Sequence, residues 1–419
     1  MRKLNSGFIL PEYRENCFSD IPAAVFELFE GKTRRPGVFE EYFKKYTKQG
    51  YKNIIFFLID AFGFYQWKKY GNEFPLFKQI DDRKRLHPIT AVFPSTTAAA
   101  LNTVNSGLTP AEHGLFEWTL YMPEIDKTIL TLPFTDIAVN KRDSLLKEKI
   151  NPGILFDFPT IYQGLKKKNI NCYSFLDRTY KNGCYAKLTR EGSEAFSFIN
   201  FSDLTVKLRN QVAKARGRNF FFAYWDKLDT LAHKYGPGSD SCKVELAKIS
   251  YLFLTEFIQK LSKKTRKETL LIISADHGQI DINPREVIYL NKDKFIMENL
   301  RKDKKGDIIL PTGGPRSVFL HIKKGKLDDV FLYLRNKLRK KADVFLMEEA
   351  IRLGLFGKKK INPRFRKRLG DLLVLPHKNY TIWRKYKNKK FKHLGHHGGL
   401  SKEEMVVPLA ICGLSELGS

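Results

Sequence analysis

The sequence predicts an α/β protein with a doubly wound, mainly parallel central sheet and helices on both faces of that sheet. Three runs of apolar residues each end on an aspartate, at residues 54–60, 220–226 and 270–276. Strands that are buried on both faces of a parallel sheet have this continuous apolar composition. Helical patterns alternate with such runs up to about residue 280, which is typical of a parallel sheet with crossover helices.

The first expected elements are a helix and a strong strand. Residues 19–22 suit a helix N-terminus, and Gly31 is expected near the end of that helix. The first strand covers residues 53–60, and the turn of residues 94–97 leads into an Ala-rich helix that ends near Gly107. The later elements are weaker strands at residues 172–176 and 196–199, a helix at residues 244–261 and a final strand at residues 405–411.

The chain changes character after Gly278, and a smaller inserted α+β subdomain is expected over residues 301–390. This basic stretch contains its own strand, residues 317–322, and its own helix, residues 327–338. The chain then returns to the main body of the protein. The predicted core therefore comprises residues 1–300 plus 391–419.

The charge of the chain is strongly positive and unevenly spread. The 419 residues carry a net charge of +29, and residues 301–394 hold 28 Lys and Arg against 8 Asp and Glu. This excess is either the solvated surface of a lysine-rich protein or an electrostatic funnel for an anionic substrate or nucleic acid. Residues 379–390 interleave aromatic and cationic side chains, which suits base stacking plus phosphate contact, and a solvated amphipathic edge has the same composition.

The sequence shows no signal for export, membrane insertion or disulfide bonding. Residues 1–11 lack the apolar stretch of a secretory signal, and no run approaches 18 apolar residues. The five cysteines are scattered and odd in number, without a pair at metal-binding spacing. We therefore expect reduced thiols, no transmembrane helix and a cytoplasmic location.

Acidic and histidine side chains follow the predicted strands, where the ligand sites of open α/β sheets lie. Asp60 and Asp276 end two of these strands, and His277 follows the second. Asp229 and His233 are four residues apart, so they face the same way on a helical turn. Like charges gather at one point only around a cation, so a metal-dependent hydrolase is the simplest interpretation. Each motif alone also fits a turn cap, a surface pair or an ordinary strand-to-loop junction.

Two further segments supply a histidine pair and a hydroxyl-rich turn. His396 and His397 precede two glycines, which permit close approach of the backbone to a ligand, and the pair is either ligating or solvated. Thr96 and Thr97 precede the Ala-rich helix. The free N–H groups and positive dipole end of a helix N-terminus bind phosphate and stabilise an alkoxide. A simple Ser/Thr N-cap is the alternative.

Together these motifs resemble those of the alkaline phosphatase superfamily, specifically its type I phosphodiesterase/nucleotide pyrophosphatase branch. Six segments match in the order of that family over residues 58–409, and the combination is specific where any single motif is not. The segments are Leu-Ile-Asp at 58–60, Phe-Pro-Ser-Thr-Thr at 93–97, Ser-Gly-Leu-Thr-Pro-Ala-Glu-His-Gly at 106–114, Asp-xxx-His-Lys-Tyr-Gly-Pro at 229–237, Ala-Asp-His-Gly at 275–278, and His-Gly-Gly-Leu-Ser at 397–401 with Met-Val-Val-Pro-Leu at 405–409.

The resemblance implies a two-metal site and a phospho-threonine intermediate. The implied ligands are Asp229, His233 and His397 for one metal, and Asp60, Asp276, His277 and the nucleophile for the other. The position of the family's nucleophilic threonine falls on Thr97, with Thr96 as the fallback. His396 and His393 are the alternatives to His397. Histidine and carboxylate ligands without thiolate suit zinc, and manganese is the other candidate.

The sequence departs from the family at one substrate contact. An asparagine of the family, five residues after the histidine of its His-Gly motif, helps to hold a phosphoryl oxygen, and Trp118 stands there in this chain. Trp118 is therefore a candidate substrate contact of a different kind. Arg316 is a candidate for binding the non-transferred part of the substrate, because arginine suits bidentate phosphate contacts. A surface role for Arg316 is the alternative.

The resemblance implies hydrolysis of phosphate esters of the phosphodiester or nucleotide pyrophosphate type. A phosphomonoesterase or phosphonate hydrolase of the same superfamily uses the same metal core and stays open. The sulfatase signature is absent, which argues against a sulfatase. A protein of another class, which binds nucleic acid through the basic residues 301–394, is the second alternative. The expected partners are an anionic phosphate ester and, through this basic segment, nucleic acid.

Overall fold

A computed structural model describes residues 1, 4, 6–32, 38–358, 361–385 and 390–418. The strands in these residues, numbered in chain order, are β1 (Asn53–Ile59), β2 (Leu86–Thr90), β3 (Thr119–Met122), β4 (Lys127–Leu130), β5 (Thr135–Asp136), β6 (Ile170–Asp177), β7 (Glu194–Phe198), β8 (Arg218–Trp225), β9 (Thr269–Ser274), β10 (Ile280–Asp281), β11 (Ile288–Tyr289), β12 (Thr312–Gly314), β13 (Ser317–Leu320), β14 (Ala342–Leu346), β15 (Leu372–Pro376), β16 (Ile382–Trp383), β17 (Gly395–His396) and β18 (Val406–Gly413).

The α-helices of the described residues are α1 (Ile21–Glu30), α2 (Val38–Thr47), α3 (Phe64–Tyr70), α4 (Pro75–Asp82), α5 (Thr97–Ser106), α6 (Pro110–His113), α7 (Ser144–Lys147), α8 (Ile161–Lys166), α9 (Cys184–Thr189), α10 (Phe201–Lys214), α11 (Lys227–Tyr235), α12 (Asp240–Leu252), α13 (Lys263–Lys267), α14 (Lys294–Asn299), α15 (Leu327–Leu338), α16 (Met347–Arg352), α17 (Pro363–Arg368) and α18 (Lys402–Met405). A π-helical segment, Phe253–Ile258, continues α12. Short 3₁₀ turns occur at Phe18–Asp20, Gly71–Glu73, Pro152–Ile154, Leu290–Lys292 and Leu414–Glu416.

The central sheet has the strand order β2-β18-β9-β1-β8-β6-β7. Strands β9, β1, β8, β6 and β7 run parallel to one another. Strand β18 runs antiparallel to both of its neighbours, β9 and β2. Every residue of β1 and β9 is buried, so both faces of the sheet are covered. The predicted α/β class with a mainly parallel central sheet flanked by helices is confirmed.

The elements that lead into the site form where the sequence predicts them. Helix α1 ends at Gly31, which adopts the left-handed conformation at φ 70° that favours glycine. Helix α5 begins at Thr97 and ends before Gly107, at φ 73°. Its small side chains at Ala98, Ala99 and Ala100 are buried, so the helix packs closely against the core.

A second, antiparallel sheet has the order β14-β15-β13-β12-β3-β4-β5. Helix α15 packs on β14, and a separate apolar cluster that includes Val318, Val330, Leu334 and Val374 fills the space on that side. The predicted strand and helix of the basic stretch thus occur as β13 and α15. Strands β3, β4 and β5 come from the predicted core, and β12 joins them by pairing Gly313 with Thr119. The division of the chain at residues 301 and 390 stays a prediction.

Several short elements carry no clear pattern in the sequence. Strand β2 contains His87 and Pro88 and lies at the edge of the central sheet, where proline is tolerated. Strands β10 and β17 pair Ile280 with His396, which brings the C-terminal histidine segment to the end of β9. Among the described residues, no helix combines the length and the apolar character that crossing a membrane requires.

Candidate metal centre

Three neighbouring parallel strands deliver the predicted site residues to one edge of the central sheet. Strand β1 lies between β8 and β9, in parallel register with both, so their carboxyl ends lie side by side. Asp60 directly follows β1, and Asp276 with His277 follows β9 after one intervening residue. Helix α11 starts two residues after β8 and carries Asp229 and His233 one turn apart.

The first cluster consists of Asp60, Asp276 and His277, all buried, with the Thr97 hydroxyl beside them. The Nε2 atom of His277 lies 3.4 Å from Asp60 Oδ1 and 3.4 Å from Asp276 Oδ2. The hydroxyl oxygen of Thr97 lies 3.2 Å from the same Nε2 atom. Two carboxylates, one imidazole and one hydroxyl therefore converge on a single point.

The second cluster consists of Asp229, His233 and His397. The Oδ1 atom of Asp229 lies 3.4 Å from His233 Nε2 and 3.7 Å from His397 Nε2. The rings of His397 and His277 stack with their centroids 3.6 Å apart, so the two clusters adjoin. All predicted metal-ligating residues are thus brought together, in the two groups that the family resemblance implies. Their role as ligands stays a prediction.

The backbone fixes the ring nitrogen that each histidine turns toward the carboxylates. In His233, His277 and His397, Nδ1 lies within hydrogen-bond distance of a backbone carbonyl, so Nδ1–H donates and Nε2 keeps its lone pair. The acceptors are the carbonyl oxygens of Gly395 at 2.9 Å, Gly278 at 3.0 Å and Ser95 at 2.9 Å, respectively. A metal ligand must present such a lone pair, so this arrangement fits metal binding.

In the buried carboxylates of Asp60 and Asp276, one oxygen accepts hydrogen bonds from the protein and the other points toward His277. Asp276 accepts backbone N–H bonds at Oδ1 from Ala61 and His277, at 3.1 and 3.0 Å, whereas its buried Oδ2 has no partner among the described residues. Asp60 accepts the Tyr224 hydroxyl at Oδ2, whereas its buried Oδ1 has no partner in the described part of the chain. Buried acceptors without donors are rare because they cost free energy. Both orphaned oxygens face His277 Nε2, which fits a cation at that point.

Burial and mutual repulsion strongly perturb the acidic groups. Burial, followed by the charges of Asp276 and Asp229, raises the pKa of Asp60 well above its usual range. Burial raises the pKa of Asp229 to about 7. Burial also lowers the pKa of His233 to about 4, which favours the neutral, ligating form of its ring. A divalent cation would offset the repulsion between the carboxylates, and the O/N donor set suits zinc or manganese.

The two adjacent threonines have different environments. Thr96 is the N-cap of α5, and its side-chain oxygen accepts the Ala99 N–H at 3.4 Å. The Thr96 hydroxyl also lies 3.4 Å from the Phe116 carbonyl oxygen, so it is already engaged. Thr97 is the first helical residue, and its hydroxyl faces the first cluster. This geometry favours Thr97 over Thr96 as the nucleophile, and the assignment stays a prediction.

The ring centroids of His393 and His396 lie 4.7 and 4.9 Å from that of His233. Together the three histidines form a third possible ligand group, with His393 exposed. Neither His393 nor His396 joins the group around Asp229 that contains His397. Asp226, the last residue of the second apolar run, pairs instead with Lys227 and accepts the Tyr180 hydroxyl at 2.6 Å.

Arg316 forms its bonds within the protein, and its predicted contact with the substrate stays a prediction. The Arg316 side chain is fully buried, and its guanidinium donates to both carboxylate oxygens of buried Glu404. Its Nη1 also donates to the Tyr380 carbonyl. These bonds occupy the guanidinium, because a buried ion pair needs its donors satisfied within the protein. Arg316 thereby anchors the Gly399–Glu404 region, where Glu404 also accepts the Gly399 N–H at 2.9 Å.

One large cavity opens above the two clusters. It has a volume of about 700 Å³, and the site residues Asp60, Thr97 and His397 line its floor. Trp118 lines its wall with 45% of its surface exposed, so the predicted role of Trp118 as a substrate contact remains open. The end of the basic segment, residues 301–394, also lines this cavity. The lining residues there are Trp383, Arg384, Lys385, Lys390, Phe391 and Lys392.

Three residues of the site carry no recognisable signal in the sequence. Tyr224 holds Asp60, and Gln279 donates to Asp229 Oδ1 at 2.7 Å. Glu117 lines the cavity as a buried carboxyl that accepts the Ser317 hydroxyl and the Trp118 N–H. Burial raises the pKa of Glu117 to about 8. A single Tyr, Gln or Glu beside a motif is common, so only the fold reveals these contacts.

Residues 54–400 match the type I phosphodiesterase/nucleotide pyrophosphatase family, and the chain belongs to that family. A venom phosphodiesterase from Crotalus durissus collilineatus is 26% identical over 220 residues, which is 50% of this chain and 24% of that protein. A venom phosphodiesterase from Crotalus adamanteus is similar to the same degree. The chain therefore spans about a quarter of the length of the curated relatives it matches.

Solved structures with the same fold are similar over most of the chain. Murine ectonucleotide pyrophosphatase/phosphodiesterase 5, as an inactive variant in complex with AMP, superposes with a TM-score of 0.60 at 18% identity, covering 85% of this chain and 87% of that one. Phosphonoacetate hydrolase from Sinorhizobium meliloti 1021, in complex with phosphonoacetate, gives 0.59 at 16% identity and covers 85% and 89%, respectively. Both confirm the fold that the sequence predicts.

Proposed function

We propose that this protein is a metal-dependent hydrolase that cleaves phosphate esters, of the phosphodiester or nucleotide pyrophosphate type, through a covalent intermediate on Thr97. The observation that carries the proposal is the pair of adjoining ligand groups with the Thr97 hydroxyl 3.2 Å from His277 Nε2. Membership of the type I phosphodiesterase/nucleotide pyrophosphatase family supports the same reaction class.

The donor set fits two divalent cations. Asp60, Asp276, His277 and Thr97 would hold one, and Asp229, His233 and His397 would hold the other. When bound, such ions supply positive charge that promotes loss of the Thr97 proton and stabilises the phosphoryl and leaving-group oxygens. Zinc suits imidazole and carboxylate ligands without thiolate, and manganese is the alternative.

The residues of this chain then perform a displacement at phosphorus. The Thr97 oxygen forms a bond to phosphorus while the bond from phosphorus to the leaving oxygen breaks. Because Thr97 is the first residue of α5, a phosphoryl group bonded to its oxygen would lie beside the first N–H groups and the positive end of the helix dipole. The oxygen of a water molecule then forms a bond to phosphorus while the bond from phosphorus to Thr97 breaks. A proton of that water passes to the Thr97 oxygen, which regenerates the hydroxyl and releases the product.

The names of the relatives support the substrate class. The matched family and the venom relatives are phosphodiesterases, and one solved structure of similar fold holds AMP. Another structure of similar fold is a phosphonoacetate hydrolase, which supports the alternative of phosphonate or monoester hydrolysis. We place the protein in the cytoplasm, and the five free, buried cysteines support that location.

Nucleic acid is a second candidate ligand because the basic segment lines the same cavity. Phe391 could stack on a base, and Lys385 and Lys390 could contact phosphates. Residues 386–389 of the predicted aromatic and cationic stretch lie outside the described residues. In this proposal the basic segment binds a polyanion and positions its phosphates at the metal centre.

A substrate panel tests the proposed function. The zinc-loaded protein should hydrolyse a nucleoside 5′-(4-nitrophenyl phosphate) diester faster than 4-nitrophenyl phosphate, and a chelator should abolish both rates. Released nitrophenolate reports each rate directly. Faster hydrolysis of the monoester or of phosphonoacetate would select the alternative activities. Failure to hydrolyse any of these substrates, with metal bound, would overturn the proposal.

A further inference from the structure

The active-site cavity extends past Thr97 to a second polar region formed by helix α9 and the residue after it. Tyr185 and Arg190 both line the cavity, and both are more than nine-tenths buried. Arg190 Nη1 donates to Asn105 Oδ1 at 3.2 Å and to the Tyr162 hydroxyl at 2.7 Å. Neither Arg190 nor Tyr185 belongs to the candidate metal centre, and the proposed reaction uses neither of them.

Arg190 is a buried cation without an anionic partner. Both of its acceptors are neutral, and within the described part of the chain it forms no ion pair. Its buried Nε has no hydrogen-bond acceptor among the residues that the structure describes. The guanidinium lies 4.5 Å above the Phe222 ring, a contact that offsets only part of the desolvation cost. An unpaired charge in such a position is costly unless an anion binds there.

Tyr185 supplies an independent sign of a missing partner. Its hydroxyl is buried and has no hydrogen-bond partner among the described residues. Tyr185 and Arg190 line the same cavity, and the Arg190 charge lowers the pKa of Tyr185 against the larger effect of burial, which raises it. Buried hydroxyls usually find a partner. A donor hydroxyl beside a donor guanidinium requires an acceptor, and an oxyanion satisfies both groups at once.

The geometry also fixes how far this region lies from the reaction centre. Arg190 contacts Asn105, which lies eight residues after Thr97 on helix α5, or about 12 Å along its axis. Apolar side chains line the cavity together with these two polar regions. They are Leu101, Leu130, Leu132 and Ile137. An apolar body therefore suits a ligand that reaches from Thr97 to Arg190.

We propose that Arg190 and Tyr185 form an anion subsite that binds a terminal carboxylate or phosphate of the substrate, about 12 Å from Thr97 and separated from it by an apolar spacer. This inference rests on the proposed function, because it assumes that the scissile phosphoryl group binds at Thr97. The subsite selects substrates with a second anionic group over uncharged analogues of the same length.

Calorimetric titration with non-hydrolysable ligands tests the subsite. The probes are octyl phosphonate, its derivative with a terminal carboxylate, and the bisphosphonate with the same chain. The zinc-loaded full-length protein should bind a probe with a terminal anion about 10- to 100-fold more tightly than octyl phosphonate, the range expected for hydrogen bonds to a charged group. The comparison of carboxylate with phosphonate shows which anion the subsite prefers.

Three variants separate binding from folding. Arg190→Met should abolish the preference for the terminal anion. Tyr185→Phe removes a hydroxyl that has no partner among the described residues, so it should leave the fold intact and weaken only the charged probes, by about 5-fold. Lys187→Met removes an exposed positive charge from the same helix, away from the cavity, and should change nothing.

Equal affinity for all three probes in the original protein would overturn the subsite. An equal loss for all probes in Tyr185→Phe, or the full effect in Lys187→Met, would also overturn it. The titration measures binding and does not depend on turnover. A protein that hydrolyses no ester but prefers charged probes through Arg190 would contradict the proposed function and keep the subsite.

Discussion

Thr97 owes its position to the threonine before it. Thr96 uses its side-chain oxygen to cap helix α5, which fixes the helix start and points the next hydroxyl at His277. A cap of this kind stabilises a protein by about 1 kcal/mol. The two hydroxyls thus have different roles, since that of Thr96 caps helix α5 and that of Thr97 faces the carboxylates. From the sequence alone, only the family resemblance favours Thr97 over Thr96 as the nucleophile.

His397 allows a test of the metal assignment. His397→Ala should lower the bound zinc from two ions to one, because it removes one of three ligands around Asp229. Elemental analysis of the purified protein measures the zinc content. Activity should fall together with the zinc content.

His396→Ala and His393→Ala are the matched controls, because both residues lie beside His233 but outside the group around Asp229. Both variants should keep two zinc ions. Two ions retained in His397→Ala, with one lost in either control, would move the ligand assignment to the third histidine group.

The predictable part of the site follows simple rules at the level of residues. Asp60, Asp276 and His277 end apolar strands, and Asp229 with His233 has helical spacing, so the sequence places them near one edge of the sheet. The pairing of Arg316 with Glu404 could not be predicted, because the two residues lie 88 positions apart in the sequence. The contacts of Tyr224, Gln279 and Glu117 could not be predicted for the same reason, since only tertiary packing brings these residues to their partners.

The turn after β9 depends on close backbone packing. A Cβ atom at Gly278 would lie 2.0 Å from the Glu403 carbonyl oxygen and 3.0 Å from the Cα atom of Gly63. Gly278→Ala should therefore push α18 away from His277 and lower the free energy of unfolding by about 3 kcal/mol. Urea denaturation measures this change.

Gly238→Ala is the matched control for Gly278→Ala. A Cβ atom at Gly238 would meet only the Tyr70 hydroxyl, at an ordinary 3.5 Å. Its stability should stay within about 0.5 kcal/mol of the original protein. Equal stability of the two variants would show that the backbone contact at Gly278 is not needed to hold this turn.

Long elements could be predicted from the sequence, whereas most of the short ones, with the exception of β13, could not. The helix expected at residues 327–338 is α15, and the expected strands at residues 172–176 and 196–199 are β6 and β7. Strands β3, β4 and β5 have four residues or fewer, which is too short for a period to appear in the sequence. Pairing across the second sheet stabilises them, and that pairing joins segments far apart in the chain.

The net charge of +29 acts on the molecule as a whole. Cationic side chains at the cavity should attract anionic esters, and salt screens such attraction. Raising the salt concentration from about 50 to 200 mM should lower kcat/KM several-fold, and more steeply for substrates of higher negative charge. Steady-state kinetics at several ionic strengths measures the slope.

Paired substitutions show whether the charge acts locally. Lys390 and Lys392 line the cavity, whereas Lys304 and Lys305 are exposed elsewhere in the basic segment. Changing the first pair to glutamine should flatten the dependence on salt, and changing the second pair should not. A slope that both changes alter equally would assign the effect to the overall charge.

At the scale of the whole molecule, the sequence predicts the central parallel sheet but not the second, antiparallel sheet. Alternating apolar runs and helical patterns indicate the parallel α/β sheet, which is present. The second sheet joins strands from residues 119–136 to strands from residues 312–376, and no local pattern indicates such pairing. This sheet brings Trp118 and Glu117 together with the Gly313–Pro315 turn at the cavity wall.

A covalent adduct on Thr97 is the central claim, and mass spectrometry of an acid-quenched reaction tests it most directly. The zinc-loaded protein, mixed with a nitrophenyl diester and quenched during turnover, should carry the substrate's phosphoryl group on Thr97. Thr97→Ala should show no adduct, retain its zinc and lose at least ~1,000-fold in kcat. Thr96→Ala should keep the adduct and lose about 1 kcal/mol of stability. An adduct on Thr96, or full activity of Thr97→Ala, would contradict the account.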